Sequence, residues 1–439
     1  MVSKTRKLKG GEYRFSGAYG CTYSPAMKCT GDAERTPLSI SKLMETTDGY
    51  KEFRKRPFLK KVDPDQRFFL WPVRFCTVSP ADLTAENDLS PCPIVGSRFR
   101  PDLADAVLVI YSDGGTDLYH WKLNPKQYVE FFVGFGQLLE GLALLHSKNV
   151  VHLDIKPSNI VAKELPNGKF DFHFIDFSFT SPIRLFDKED VPNANYVYWP
   201  YEYRFAKHGF SKAKITNDSI TAWHGETLNF YDELKAIRYP TRAEAEGNFD
   251  MYAAKEKRVD KLDLLLKAVD VYSLGITFLQ LYYSLIGHYL EYDTGVGIYS
   301  IEVVPEIKRA NPVVKSIHNR IKRDLSQAFF EVVKGMIDPD LNRRFTAREA
   351  YEAFQPVIPS IRKQLLPIFV ESALVPLNRP PIPAPPPTPV TPGFQGLQSI
   401  LFHNNANVAN LTAAGLQNVQ SNVFAGGKRR RNKTQRKRR

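Results

Sequence analysis

The spacing of apolar residues changes character once along the chain. Between residues 11 and 118 the apolar runs are short and broken by Gly, Pro and Asp: CTYSP, LSISKLM, RFFLWPVRFC and DAVLVIY. Short runs bounded by turn residues predict β-strands. From about residue 124 to 370 the repeat lengthens. In QYVEFFVGFGQLLEGLALLHSKN, Phe131, Phe135, Leu138, Leu142 and Leu145 recur at steps of three and four, the period of a helix with one buried face. The longest apolar stretch, Leu262 to Leu290, carries Lys267 and Asp270. That predicts a buried helix and no membrane span. The expected fold is α+β, with a small, mainly β lobe at 11–118 and a large, mainly α lobe at 119–370. A glycine-bearing joint at Ser112 to Thr116 connects them. No internal repeat of solenoid or propeller period is present.

Composition shifts sharply near residue 376, where PLNRPPIPAPPPTPVTPGF excludes a helix or a central strand. The stretch beyond it is rich in Asn, Gln, Ala and Gly, and the chain closes on KRRRNKTQRKRR. Residues 371–439 are therefore expected to be a disordered tail. The net charge is +13, and residues 428–439 carry nine basic side chains and no acidic one; subtracting nine leaves +4 on the rest. A strongly basic partner surface belongs to the tail, where it suits nucleic acid or an import factor. The N-terminus has no apolar, signal-like run. The four cysteines, Cys21, Cys29, Cys76 and Cys92, show no CxxC pair, so reduced thiols in an intracellular protein are expected, without a zinc site.

The segment VVHLDIKPSNIV, Val150 to Val161, holds polar residues on a short loop between apolar anchors. Phosphoryl transfer needs an acceptor hydroxyl held beside a carboxylate, with cations over the phosphate charge. Asp154 suits the carboxylate, Lys156 the cation that reaches the transferring phosphate, and Asn159 a ligand of Mg²⁺. Seventeen residues after Asn159, within FHFIDFSF, Asp176 follows an alternating apolar strand and suits a second Mg²⁺ ligand. Each segment alone also admits an ordinary loop with a solvated Asp and a capping Asn. Their order and spacing together do not.

HLDIKPSN followed by IDFS resembles the catalytic and metal-binding loops of the protein kinases. The resemblance extends over residues 13 to 365. YWPYEY, Tyr198 to Tyr203, is similar to the end of an activation segment, with Glu202 as its closing glutamate. DVYSLG resembles the buried helix whose aspartate, here Asp270, holds the catalytic-loop backbone. DPDLNRR resembles the late loop whose arginine, Arg344, pairs with that glutamate. FSGAYGCTY resembles the glycine-rich flap over the phosphates of ATP. Gly17 and Gly20 match it, while Phe15 and Thr22 depart from it. Lys42 in LSISKLM resembles the strand lysine that contacts the α and β phosphates. Its helix partner is then Glu52, with Glu45 as the alternative, and Pro57 must end or kink that helix. VLVIYSDGGTDL resembles the hinge that receives adenine, with Val109 as a small gatekeeper, Tyr111 beside it, and Asp117 or Thr116 toward the ribose.

Three departures carry expectations of their own. Leu153 stands where the family has an arginine that reads a phosphate on the activation loop, which implies activity without that phosphate. Ser178 replaces the last glycine of Asp-Phe-Gly. Residues 204–262 form a large insertion, open to two readings: substrate or partner docking, or a tolerated surface excursion. The resemblance implies an ATP- and Mg²⁺-dependent, monomeric enzyme acting on protein substrates. Lys156 resembles the serine/threonine class. The flap, ISKLM, VDPD, WPYE and GGKRRRNKTQRKRR resemble kinases of large nucleocytoplasmic DNA viruses, which implies host cytoplasm, nucleus or virion as the setting. The alternative is a catalytically weak pseudokinase scaffold with a nucleic-acid-binding tail. Such a scaffold is expected to lack one of Lys42, Asp154, Asn159 or Asp176, and all four are present.

Overall fold

The N-terminal strands are Glu12–Ser16 (β1), Gly20–Ser24 (β2), Ser39–Glu45 (β3), Arg74–Thr77 (β4) and Ala106–Ser112 (β5). They form one antiparallel sheet in the order β1-β2-β3-β5-β4. The computed structural model describes residues 11–17, 19–32, 36, 38–78, 89–95, 103–121, 127–187, 196–228, 239–294 and 326–363. All of them belong to one compact unit spanning 1–188 and 195–375. The tail expected at 371–439 lies outside the described residues.

Strand alternation sorts the sheet into two faces. Cys21, Tyr23, Leu43, Leu108 and Ile110 pack on one. Met44, Val107, Val109 and Tyr111 pack on the other, with Ile40 and Phe75 at its edge. The helix Thr46–Phe53 (α1) follows β3 directly and covers the second face. A Cβ built on its Gly49 would stand 2.7 Å from Val107 Cγ2, so the glycine is what lets the helix approach the sheet this closely. Pro57 does not kink this helix. It opens a second one, Arg56–Val62, within whose first turn its missing N–H costs nothing.

Two expectations are corrected here. The run RFFLWPVRFC forms a strand only from Arg74. Before it, the Asp63 carboxylate accepts from the backbone N–H of Arg67, Phe68 and Phe69 at 3.1, 2.7 and 2.9 Å, and Trp71 donates its indole N–H to the Asp63 carbonyl at 2.9 Å. Backbone donors committed to a side chain cannot join a ladder. The cysteines are not reduced thiols: Cys21 pairs with Cys92 and Cys29 with Cys76, leaving none free. Their Cα separations of 5.9 and 5.8 Å suit a bridge. Sequence separations of 71 and 47 hid this, because the sheet brings together residues that no local pattern links.

Beyond β5 the fold is mainly helical. Strand Thr116–Asp117 (β6) joins Ile160–Glu164 (β8) and Phe170–Phe174 (β9) in a small sheet, and Val150–Val151 (β7) pairs with Ser181–Pro182 (β10). The helix Tyr128–Ser147 buries Phe131, Phe135, Leu138, Leu142 and Leu145 against the helices Arg258–Thr294, Ser326–Ile337 and Ala347–Phe354. Phe135 stacks on Phe278 with ring centres 4.4 Å apart. Part of this helix, Val129–Ser147, is long and apolar enough to cross a membrane, but 61% of its most apolar window is buried within the fold, as in a core helix.

The insertion at 204–262 contains the helices Asn217–Leu228 and Arg242–Ala254 and the start of Arg258–Thr294. Thr241 caps the second of these with a reciprocal Glu244 bond. Buried Asn248 donates to Pro339 O at 2.7 Å and accepts from Leu341 N at 3.0 Å, tying the insertion to the late loop.

Candidate active site

Three pieces of chain meet: β3 with α1, the loop after β7, and the loop after β9. On β3, Lys42 Nζ lies 3.0 Å from Glu52 Oε2 and 3.8 Å from Asp176 Oδ2. Burial alone would depress the ammonium's pKa, but the Asp176 and Glu52 carboxylates outweigh it and raise the pKa above its ordinary value. Glu45, three residues from Lys42 on the same strand, faces the opposite side of the sheet and is not the partner. Glu52 is 3% exposed, and burial raises its pKa against the pull of Lys42.

The loop after β7 is held from below by Asp270. Its carboxylate, fully buried, accepts from His152 N and Leu153 N, both at 2.7 Å. This grip holds Leu153 at φ 65, a left-handed conformation that side chains rarely adopt. Asp154 follows. Its carboxylate accepts from Lys156 Nζ at 3.0 Å and from Asn159 Nδ2 at 2.7 Å, and Asn159 also donates to Asp154 O at 2.8 Å. Burial lifts the Asp154 pKa while Lys156 opposes it. Burial would lower the Lys156 pKa, but Asp154 above all keeps it raised.

Asp176 sits past β9 with φ 59. Burial would raise its pKa, yet Lys42 and the Ser178 hydroxyl, 2.7 Å from Oδ1, hold it at about 2, with Lys156 adding to the effect. Ser178, in the place of a glycine, thus supplies a hydrogen bond that glycine lacks. His152 is fully buried and neutral: Nδ1 accepts from Asp154 N at 3.3 Å, and Nε2 lies 3.2 Å from Ile175 O, so that nitrogen carries the proton. Burial depresses its pKa.

Other expected residues stand differently. Val109 is opposite Lys42 in the ladder but is sealed under α1, its Cγ2 3.4 Å from a Cβ built on Gly49. The side chain beside the Lys42–Glu52 pair is Tyr111, whose hydroxyl donates to Glu52 Oε1. The open back expected from a small Val109 is therefore closed by a tyrosine. Asp117, 5% exposed, accepts from Tyr119 N and His120 N at 3.1 Å and meets His120 Nδ1 at 2.9 Å. Its Oδ1 closes that turn, while Thr116 is exposed. Gly20 is explained by strand packing, since a Cβ there would come 2.7 Å from Leu43 O, whereas a Cβ on Gly17 would meet nothing nearer than 4.0 Å. Gly17 N donates to Gly20 O at 2.8 Å, closing the flap turn.

Behind the loops, Glu202 and Arg344 form an ion pair with side chains 2% and 1% exposed. Arg344 also donates to Asp338 O at 2.8 Å and lies over the Tyr272 ring. Trp199, not singled out from the sequence, donates its indole N–H to Leu153 O at 3.0 Å. No local signal marks it beyond an aromatic within WPYE. Tyr111 was expected beside the hinge, but its bond to Glu52 was not, although strand alternation puts it on the face of Lys42.

No protein-family model matches the chain. It is similar over short stretches to curated serine/threonine protein kinases. A probable cyclin-dependent serine/threonine-protein kinase of Dictyostelium discoideum is 52% identical over 70 residues, 14% of this chain and 5% of the relative. The serine/threonine-protein kinase chk1 of Schizosaccharomyces pombe is 38% identical over 84 residues, 18% of this chain and 16% of its own. The mitogen-activated protein kinase hog1 of Aspergillus terreus is 28% identical over 151 residues, 34% of each chain. The matched stretches thus span 5–34% of these relatives. Among solved structures, the autoinhibited serine kinase domain of the giant muscle protein titin overlaps 81% of this chain and 80% of its own, at a TM-score of 0.38 and 15% identity.

Proposed function

We propose that this protein is a serine/threonine protein kinase that transfers the γ-phosphate of ATP to protein hydroxyls. One observation carries the reading: Lys42 bridges Glu52 and Asp176, and the same Asp176 feels Lys156 of the Asp154 cluster. A cation for bound phosphate, an ionised oxygen donor and a buried carboxylate thus lie close together.

In this reading Lys42, oriented by Glu52, holds the α and β phosphates. Asp154 orients the acceptor hydroxyl and takes its proton as the new P–O bond forms and the bond to the β-phosphate breaks. Burial makes that carboxylate a stronger proton acceptor than an exposed one. Lys156 faces the charge on the transferring phosphoryl group. Among the described residues no three His, Cys, Asp or Glu side chains gather as a metal cluster. The donors that fit Mg²⁺ are Asp176, ionised down to about pH 2, and Asn159, whose Oδ1 is left to accept because Nδ2 is committed to Asp154. Two protein oxygens with phosphate and water completing the shell suit this ion. Bound there, Mg²⁺ would neutralise phosphate charge.

The test of class is incubation with γ-labelled ATP and an unbiased peptide library, followed by phosphoamino-acid analysis. Label on serine and threonine, lost with Asp154→Asn, supports the reading; label on tyrosine alone, or none, contradicts it. We further read residues 428–439 as an anchor for nucleic acid or an import factor, testable by deleting 376–439. A viral origin rests on the motif resemblance alone. The two disulfides favour an oxidising setting over the reducing one first expected.

A further inference from the structure

The catalytic loop is gripped on both sides of its backbone. Asp270 binds the His152 and Leu153 N–H groups from one side. From the other, Trp199 donates to the Leu153 carbonyl at 3.0 Å. Trp199 is itself held, because its own carbonyl accepts the indole N–H of Trp223 at 3.0 Å. Trp223 lies on the insertion helix Asn217–Leu228 and is 3% exposed. Two indole donors therefore run in series from the insertion to the residue before Asp154.

The same helix is fastened to the same segment at further points. Tyr201 OH meets Ser219 Oγ at 2.7 Å, and Arg204 Nη1 donates to Ser219 O at 3.4 Å. The Arg204 guanidinium lies 5.3, 5.7 and 5.5 Å from the ring centres of Tyr201, Phe210 and Trp223. Stacked among three aromatic faces, it is engaged within the fold. Leu153, where a phosphate-reading arginine was absent from the sequence, is instead fixed through its carbonyl. Buried indoles satisfied by backbone carbonyls are costly to displace, so the arrangement specifies one loop geometry.

We propose that the insertion helix Asn217–Leu228 is a built-in clamp on the catalytic loop, with Trp199 and Trp223 as positioning residues acting through Leu153 on Asp154. The proposal rests on the phosphotransfer reading above for its kinetic consequence, and on hydrogen bonding alone for its structural one.

Trp223→Phe keeps an aromatic ring and removes the N–H. In the full chain it should lower kcat about five- to tenfold, the fold-change of one lost buried hydrogen bond. The KM for ATP should stay unchanged, because Lys42 and Glu52 lie outside the relay. Trp199→Phe should do at least as much. A relay in series also makes the two non-additive, so the double variant should turn over within about twofold of Trp199→Phe. Hydrogen–deuterium exchange at the amides of residues 152–156 should quicken in each variant while α1 is unaffected. Wild-type kcat in both single variants, or effects that multiply in the double variant, would overturn the relay. If the wild-type chain transfers no phosphate, the functional reading falls and exchange alone decides: unchanged protection at 152–156 then refutes the clamp.

Discussion

Replacing Arg344 by alanine should destabilise the protein far more than a surface arginine would. Its side chain is 1% exposed and that of its partner Glu202 is 2% exposed, so the substitution strands a carboxylate that water cannot reach. Breaking one side of such a pair costs about 3–5 kcal/mol. The bond to Asp338 O at 2.8 Å is lost as well, adding about 1 kcal/mol. At ~2 °C per kcal/mol for a domain of this size, the melting temperature should fall by about 8–12 °C. Differential scanning calorimetry in low-salt buffer at pH 7 reads this directly. Removing both charges, with Glu202→Leu and Arg344→Met, should recover part of the loss, since no buried charge is then left alone. A melting temperature for Arg344→Ala within about 2 °C of wild type would show that the pair does not hold these elements together. So would a double variant that melts no higher than Arg344→Ala.

His152 is neutral in the fold with a depressed pKa, so the unfolded chain binds the extra proton first as pH drops. Its share of stability is complete above about pH 6.5, the ordinary histidine value, and is lost below it. The stability gap between wild type and His152→Asn, measured by urea unfolding, should therefore shrink from pH 7 to pH 5; a constant gap contradicts this. Unfolded, unreduced protein should show no free thiol to an alkylating reagent in mass spectrometry. Reduction should lower the melting temperature, each bridge contributing about 2–4 kcal/mol; four alkylated cysteines without reductant would refute the pairing. Because Leu153 cannot read a phosphate and Arg204 is stacked within the fold, phosphatase-treated protein should keep most of its transferase activity. A large loss restored by rephosphorylation would contradict that.

The parts of the site that were legible in the sequence are those fixed by short, local chain. Asp154, Lys156 and Asn159 lie within six residues on one loop, so spacing alone brings them together. Asp270 and Arg344 lie far along the chain, and their partners were readable only because motifs in a known order imply a known fold. What stayed hidden depends on distances between elements. Alternation puts Val109 and Tyr111 on one face of β5, but which of them meets Glu52 is decided by how deeply α1 seats on Gly49. The turn that Asp117 Oδ1 closes carries no sequence mark either. The disulfides needed the closed sheet, and the Trp199–Trp223 chain needed the insertion folded back on the loop.

Lys42, Glu52, Asp154, Asn159 and Asp176 are proposed to perform phosphoryl transfer together. Single-turnover transfer from γ-labelled ATP to a serine peptide tests it most directly, comparing wild type with Asp154→Asn and Asp176→Asn, with Mg²⁺ and with chelator. Wild type should transfer phosphate only when Mg²⁺ is present, and both variants should be slower by about 10³-fold or more while far-ultraviolet circular dichroism stays unchanged. Either folded variant transferring phosphate at the wild-type rate would contradict it.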